Sequence, residues 1–375
     1  MWANLARAAL AWSLLIAIAF TGYYVVVVPL QGEILDNDLT LVYIGARIGL
    51  EHGWSHLYSL DLQHQLFAQL RPRQTFHTGE WYISPPPYAW LVVPLVSLGP
   101  TALTYVWLAL LFVALIAAWW MAAPGDRISR WLWLMGALAW YPVLYGFSLV
   151  QPDLFVLLSI ATAWRLSKAG RPYLAGAVLG LSVLKPTLAL ALPLMLLAAG
   201  RWRLFVTYAA VAVALAVLSL LVIGPQGFAD YRNLLSMEQA VPNNRYFTLA
   251  YPLGPGVLSY TAAGLVILAG AAAAFASRRE TDDRIFALGI VTTALAATYW
   301  HLQDYTILLL AAWLFWRTRP PVWQKGWLLI VAITAEFAWG FTPLPLLIAL
   351  LVWFALLAWF ALLGAPRKSE ITTTA

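Results

Sequence analysis

Long apolar segments recur along the whole chain and constrain its fold more than any other feature of the sequence. A run of about 20 apolar residues is long enough to cross the hydrocarbon core of a bilayer as a helix. Helices are expected because strands with open edges cannot satisfy their backbone hydrogen bonds in lipid. The composition agrees, with 62% hydrophobic residues, 10% charged residues and 21 Trp. The sequence therefore predicts an all-α, polytopic membrane protein.

The apolar segments predict about twelve membrane spans within one integral membrane domain, residues 1–366. Segment 85–98 is also apolar, but it is short and begins with three prolines, so we expect it to lie at the membrane interface. Pro186 makes one continuous helix across residues 172–200 unfavourable, which leaves a tight helical pair or one broken helix. The predicted spans are 8–30, 101–123, 131–147, 152–168, 172–184, 186–200, 204–223, 255–277, 285–299, 304–316, 323–340 and 344–363.

The basic residues separate to one side of this arrangement. Most of the 22 Lys and Arg residues fall on the side that carries both termini, and the positive-inside rule identifies that side as cytoplasmic. They are spread over short turns rather than gathered in a patch, so the net charge of +6 does not indicate a nucleic-acid partner. Residues 367–375 are expected to form a disordered cytoplasmic tail. The residues on the predicted cytoplasmic side are Arg7, Arg127, Arg130, Arg165, Lys168, Arg171, Arg201, Arg203, Arg278, Arg279, Arg284, Arg317, Arg319, Lys325, Arg367 and Lys368.

We expect the protein to lie in the inner (plasma) membrane. Most of its acidic, His and amide side chains are predicted on the extracytoplasmic side, opposite the basic residues. They gather in the loop 31–98, in the region 224–254 and in the short turn 299–305. Within the first loop, residues 38–52 and 60–70 have the apolar spacing of amphipathic helices that lie on the membrane surface. The sequence has no Cys and no Walker, GxSxG, HExxH or dinucleotide motif, so nothing in it supports a cytoplasmic nucleotide site.

Two aspartates follow the first predicted span. Asp36 or Asp38 could serve as a general base that accepts a proton from an attacking hydroxyl. Either residue could instead cap the helix that begins near Leu39. The pair could also bind a divalent cation, although two carboxylates alone make an incomplete ligand set.

Lys185 is an isolated cation between two apolar segments, on the side otherwise short of basic residues. Ionisable groups at such positions are functional by default, and an ammonium group is a suitable partner for phosphate. The alternative is a side chain that snorkels to the outer headgroups.

Two short turns and one loop carry further polar candidates. His301 and Asp304 share a turn, where His301 could contact phosphate or shuttle a proton, or where Asp304 could simply cap the next helix. Gln151 and Asp153 form an analogous turn that could bind sugar hydroxyls or merely stabilise the turn. Arg245 could add a bidentate phosphate contact, or it could be an exposed loop residue.

Short motifs across the chain occur in the order in which they stand in glycosyltransferase family 87, and the chain resembles that family. Two segments depart from the family pattern. In 301–305 the family's final Tyr-Asp pair is reversed to Asp304-Tyr305, and in 150–153 the family's Gly and Asn are replaced by Val150 and Asp153. The matching segments are 38–46, Gly53, 57–58, 84–88, 150–153, 185–186 followed by 201–203, and 301–305.

The resemblance implies a C-type membrane glycosyltransferase fold. It also implies transfer of a monosaccharide, mannose in the best-known members, from a polyprenyl-phosphate carrier to a hydroxyl of a glycolipid or glycan acceptor. The expected reaction is inverting and extracytoplasmic, with no cofactor and no divalent metal, because protein cations stabilise the leaving phosphate. The roles implied are general base for Asp38, phosphate binding for Lys185, His301 and Arg245, sugar binding for Gln151, Asp153 and Asp304, and shaping of the first-loop surface for Tyr43 and Tyr58.

Two other classes of function fit a polytopic chain. A solute transporter or lipid flippase should show repeat symmetry and charged residues within its spans, and the sequence shows neither. A scaffold without catalytic activity would tolerate replacement of Asp38 and Lys185.

Overall fold

A computed structural model describes residues 2–362, and every regular element in that range is helical. The predicted tail, residues 367–375, lies outside the described residues. Short 3-10 segments extend or join several helices, and a π-helical segment, Tyr23–Val27, joins the first two. The α-helices are α1 (Trp2–Gly22), α2 (Val28–Gly32), α3 (Asp38–Glu51), α4 (Leu60–Leu70), α5 (Pro86–Val92), α6 (Pro100–Ala122), α7 (Arg127–Ala139), α8 (Tyr141–Ser148), α9 (Asp153–Lys168), α10 (Pro172–Gly180), α11 (Leu192–Ala198), α12 (Trp202–Ala240), α13 (Ala250–Leu253), α14 (Val257–Ala276), α15 (Asp282–Ala296), α16 (Leu308–Arg317), α17 (Val322–Phe337) and α18 (Leu344–Leu362).

Several of these helices are suited to a bilayer. Among the described residues, four helical stretches are long and apolar enough to cross a membrane: Asn4–Gly32, Pro100–Ala122, Trp202–Ala240 and Val257–Ala276. The first of them packs its apolar residues outward, with Trp12 and Ile16 both 68% exposed. An exposed apolar surface of this size would be a liability in water and is expected in lipid. The chain is therefore an integral membrane protein, and the full set of twelve spans stays a prediction.

The predicted span 131–147 is wrong as a single helix, because the structure divides it at Trp140. Pro142 lacks the N–H that a continuing helix would use, so α7 ends and α8 begins on a new axis. The N–H of Tyr141 is not left unpaired, since it donates to Glu336 Oε2 of α17 at 2.9 Å. Helix α8 then leads directly into the turn that carries Gln151.

The predicted boundary at residue 223 coincides with a break in α12 at Gly224, although a second helical segment follows and extends to Ala240. The helix is interrupted at Gly224, whose φ of +63° is readily adopted only by glycine, and Pro225 follows it. Gly followed by Pro is typical of a helix end, and here a second helical segment begins directly after the break. The first part of the predicted loop 224–254 is therefore helical.

Both helices predicted in the first loop are present, as α3 and α4. Nine residues of the 14-residue α3 are buried, including Leu39 and Ile48, because α4 and α5 cover it. Helix α3 is thus embedded in the protein rather than lying with one face free on the membrane surface. This packing places the N-terminus of α3 inside the molecule.

The polar ends of the helices form two separate layers. At one end, Arg201 Nε donates to Asp282 Oδ1 at 2.9 Å and Lys168 Nζ to Asp283 Oδ1 at 3.0 Å. Helix α9 connects this basic end to Asp153 through 16 residues, or about 24 Å at the usual rise per residue. The predicted site residues lie at the other end, so they are separated from the basic layer by the length of a helix.

Close helix packing depends on small residues, as is usual within membranes. A Cβ on Gly176 of α10 would lie 2.2 Å from the backbone oxygen of Leu204 in α12, whereas a Cβ on Gly264 of α14 would meet nothing within 4 Å. We therefore expect Gly176→Ala to destabilise the fold by about 1–3 kcal/mol through overpacking. Gly264→Ala should leave stability unchanged or slightly raised.

Thermal unfolding midpoints of the two variants in detergent, compared with that of the wild type, test this prediction. Equal midpoints for both variants would contradict the close approach of α10 and α12.

Candidate active site

A cavity of about 760 Å³ opens at the end of the bundle opposite the basic layer. Its wall is formed by the N-terminus of α3, the turn after α8, the break before Pro186, the second part of α12 and the turn before Leu302. Aromatic side chains supply much of the surface, among them Trp81, Tyr145, Tyr299 and Trp339. Five of the predicted site residues line this one cavity: Asp38, Gln151, Lys185, Arg245 and His301.

The floor of the cavity is an ionic cluster centred on Lys185. Its Nζ lies 2.8 Å from Asp153 Oδ1, 2.5 Å from Asp304 Oδ1 and 3.1 Å from Gln151 Oε1. The Lys185 side chain is 14% exposed, whereas Asp153 and Asp304 are 1% and 0% exposed and lie beneath it. The contacts to Asp153 and Gln151 are hydrogen bonds, and the contact to Asp304 is an ion pair. A ligand anion would have to compete with these groups for Lys185.

Local backbone structure explains how these groups meet. Lys185 precedes a proline and has an extended conformation (φ −138°, ψ 79°), which confirms the predicted helix break at Pro186. His301 and Asp304 cap the turn mutually, but His301 rather than Asp304 occupies the N-cap position, and Asp304 accepts the N–H of His301 at 2.7 Å. This bond turns the Asp304 side chain back toward Lys185.

Asp38 is the first residue of α3 and is connected to the cluster through Gln151. Gln151 Nε2 donates to Asp38 Oδ2, and the N–H of Asp38 donates to Leu149 O at 3.0 Å. Val150, between these two partners, has a positive φ of 55°, which is a genuine strain for a β-branched residue. Burial raises the pKa of Asp38 above its ordinary value, and the hydrogen bond from Gln151 and the charge of Lys185 partly oppose that rise. No described residue donates to Asp38 Oδ1, so that oxygen is open to a ligand.

Asp36 differs from Asp38 both in its position relative to the cavity and in its partner. It does not line the cavity, and its carboxylate lies 3.5 Å from Arg71 Nη1. Neither aspartate caps α3, because Asn37 does so by accepting the N–H of Thr40 at 3.1 Å. The cap expected from the sequence at Asp36 or Asp38 was therefore wrong by one residue. Asp36 and Asp38 therefore contact different partners, Arg71 and Gln151.

His301 and Arg245 lie on another part of the wall. Asn244 uses its amide N–H to bind Glu238 Oε1 at 2.8 Å, so its Oδ1 is an acceptor, and His301 Nε2 lies 2.9 Å from it. His301 must then donate from Nε2, and in the capping box of this turn its side chain accepts the backbone N–H of Asp304. Burial lowers the pKa of His301 and favours this neutral form. The Arg245 guanidinium has no partner among residues 2–362, so it is the cavity's available cation.

Tyr43 and Tyr58 are buried and do not line the cavity. Tyr58 stacks on Tyr82 at 5.9 Å and contacts Tyr231 at 4.7 Å between ring centroids, so it supports the aromatic wall from behind. Sequence reasoning missed Glu238, Trp81 and Tyr299. Trp and Tyr are generally enriched at membrane interfaces, so nothing in the sequence singled out Trp81 and Tyr299. The only signal for Glu238 was its place among the few acids of the region 224–254.

The cluster makes a prediction for stability. Among residues 2–362, Lys185 is the only cation in contact with the buried carboxylates of Asp153 and Asp304. We expect Lys185→Met to lower the free energy of unfolding by about 3–5 kcal/mol. Asp153→Asn in the same chain should recover part of that loss, because it removes one of the unpaired charges.

Thermal unfolding in detergent of the single and double variants measures this coupling. A double variant less stable than Lys185→Met alone would contradict it.

Comparison with known proteins identifies the family of the chain. A model of glycosyltransferase family 87 matches residues 82–298, which is more than half of the 375-residue chain. The matched range includes Gln151, Lys185 and Arg245, whereas Asp38 and His301 fall outside it. No curated protein and no solved structure gives a significant match. The chain belongs to glycosyltransferase family 87 and is a membrane glycosyltransferase.

Proposed function

We propose that the protein transfers a monosaccharide, a mannose-like hexose or related sugar, from a polyprenyl-phosphate carrier to a hydroxyl group of a glycolipid or glycan. The observation that carries this proposal is the cavity in which Asp38 offers a free carboxylate oxygen and Arg245 offers a free guanidinium group. Transfer of a sugar from a phosphate needs both groups: a base for the acceptor and a cation for the leaving group.

The proposed site is extracytoplasmic. The cavity and the basic layer lie at opposite ends of α9, and the positive-inside rule assigns the basic layer to the cytoplasm. Both termini are then cytoplasmic, and the inner (plasma) membrane is the proposed location. A lipid-linked donor suits this side of the membrane, because no motif for a nucleotide donor occurs in the sequence.

The proposed reaction is a single displacement. The acceptor hydroxyl gives its proton to Asp38 Oδ1 while its oxygen attacks the anomeric carbon. The bond from that carbon to the phosphate oxygen breaks, and its electron pair leaves with the polyprenyl phosphate. The anomeric configuration is inverted, and a carboxylate base must lie within hydrogen-bond reach of the hydroxyl.

The geometry divides the cations into two roles. Arg245 is proposed to contact the phosphate, since a guanidinium matches phosphate oxygens in a bidentate manner. His301 shares its wall and is proposed to assist. Lys185 is proposed to act chiefly by holding Gln151, Asp153 and Asp304, because all three already contact its ammonium group. The phosphate charge is then balanced by protein cations without a metal ion.

The arrangement of the floor favours an enzyme over a transporter. A transported solute would have to pass between Lys185 and two carboxylates that are at most 1% exposed. Breaking such a buried ionic cluster on every cycle would be costly. The cavity is therefore proposed to hold reactants that enter and leave on one side.

Asp38→Asn keeps the size of the side chain but removes the base, so we expect the transfer rate to fall about 10²–10⁴-fold. Asp36→Asn is the matched control and should retain activity, because Asp36 lies outside the cavity. The measurement is transfer of radiolabelled sugar from a panel of polyprenyl-phosphate donors to an envelope lipid extract. Equal loss in both variants, or loss in Asp36→Asn alone, would remove Asp38 as the base.

The pH dependence gives an independent prediction. Asp38 works only when deprotonated, so kcat/KM should fall as the pH drops through its pKa, which burial places above the ordinary aspartate value. Gln151→Met removes the hydrogen bond that lowers this pKa, so the acidic limb of the profile should move to higher pH. The donor phosphodiester stays ionised throughout that range. A limb that is unchanged or moves to lower pH would contradict the coupling of Gln151 to Asp38.

A further inference from the structure

A buried arginine of the first loop, Arg71, lies behind the candidate base. Its side chain is 5% exposed and does not line the cavity, so any effect of Arg71 on a bound reactant must be indirect. Arg71 is the C-cap of α4 and precedes Pro72, which favours its non-helical backbone (φ −128°, ψ 63°). From the end of α4 its guanidinium group reaches the segment that leads into α3.

The guanidinium group holds two backbone carbonyl groups just before Asp38. Arg71 Nη2 donates to Leu35 O and, at 2.9 Å, to Asn37 O. Leu35 O also accepts the hydroxyl of Thr40 at 2.8 Å, which connects the same carbonyl to the first turn of α3. The position of the Asp38 backbone therefore depends on the guanidinium group.

Carbonyl contacts alone do not account for a charged side chain at this position. Burying a charge is costly unless an opposite charge compensates it. Among residues 2–362, the carboxylate paired with Arg71 is that of Asp36, which lies 3.5 Å away and is 58% exposed. A pair with such an exposed partner contributes little. The positive charge thus stays largely uncompensated beside the start of α3.

Asp38 is the group on which this charge acts. It is the first residue of the 14-residue α3, where the aligned backbone dipoles of the helix also favour a negative charge. Burial raises the pKa of Asp38, and the charge of Arg71 is among the effects that oppose this rise. A general base must be deprotonated to act, so the charge of Arg71 favours the active form of Asp38.

We propose that Arg71 is a positioning residue for the base, which fixes the backbone that carries Asp38 and places a positive charge behind its carboxylate. The proposal deepens the proposed function and rests on it for the role of Asp38 in transfer. Its two parts have different consequences, because loss of position lowers kcat and loss of charge moves the pH dependence. A residue that only stabilised the loop would change neither in protein that remains folded.

The experiment compares three variants with the wild type. Arg71→Met keeps an apolar stem and removes the charge, and Arg71→Lys keeps the charge but loses the planar array of N–H groups. The matched control is Arg73→Met, because Arg73 is exposed and lies two residues further along the same loop. The transfer assay gives kcat and KM as a function of pH, and unfolding midpoints in detergent show which variants keep the fold.

We expect kcat in Arg71→Met to fall about tenfold to a hundredfold through misplacement of the base, with KM for donor and acceptor unchanged. The acidic limb of the profile should move to higher pH, because the variant loses a cation and leaves Asp36 unpaired. Arg71→Lys should keep the limb near its wild-type position and recover only part of kcat. Arg73→Met should match the wild type in both respects.

The comparison separates Arg71 from the other ionisable groups near Asp38. None of these side chains is changed in the variants, so their own contributions are common to all four proteins. They come from the first loop, α5, α8, the break before Pro186, α12 and the turn 299–305. The groups are Asp36, Tyr88, Tyr145, Lys185, Glu238 and Tyr299.

An acidic limb that does not move in Arg71→Met, or a rise in KM with kcat unchanged, would overturn the proposal. If Arg71→Met does not fold, Arg71→Lys decides the question. Wild-type kcat in Arg71→Lys would then overturn the positioning role, whereas a lower kcat with an unmoved acidic limb would support it.

A titration without turnover separates this proposal from the proposed function. Infrared difference spectroscopy of the purified protein follows the Asp38 carboxyl group, identified as the band that Asp38→Asn lacks. If the titration midpoint is higher in Arg71→Met while the wild type transfers no sugar, the proposed function fails and the coupling of Arg71 to Asp38 stands. If the wild type transfers sugar and Arg71→Met equals Arg73→Met in midpoint and kcat, the role of Arg71 fails and the proposed function stands.

Discussion

The contacts of one ammonium group, that of Lys185, hold the candidate site together. Its three acceptors come from three different parts of the chain: Gln151 in the turn after α8, Asp153 at the start of α9 and Asp304 in the 3-10 turn before α16. Each carboxylate would be prohibitively costly to bury without the cation, and the cation without the carboxylates. The cluster therefore fixes the mutual positions of the elements that form the cavity floor.

The same cluster connects the fold to the chemistry. The side-chain oxygen of Gln151 accepts a hydrogen bond from Lys185, and its nitrogen donates one to Asp38. The orientation of the proposed base therefore depends on the position of Lys185. The free oxygen of Asp38 and the free guanidinium of Arg245 are the groups left for reactants.

The sequence predicted those features that local composition determines. Apolar segment length, the break at Pro186 and the separation of basic residues from the polar side all followed from short stretches of chain. Gly224-Pro225 correctly marked a break in α12, but the helical segment that follows it, up to Ala240, was not predicted. Asn37 could not be distinguished from Asp36 and Asp38 as a cap, because the three have similar capping preferences. Glu238 and Trp81 meet only in the folded chain, from segments far apart in sequence, so no local pattern could pair them.

The most direct test of the central claim is an electron cryo-microscopy structure of the Asp38→Asn variant with a polyprenyl-phosphate sugar and an acceptor bound. The account predicts that the acceptor hydroxyl lies within about 2.6–3.2 Å of the side chain at position 38, the reach required of a general base. It also predicts that the phosphate contacts Arg245, in a cavity on the side opposite the basic layer. An acceptor hydroxyl positioned at Asp36, or a sugar bound at the basic end of the helices, would contradict it.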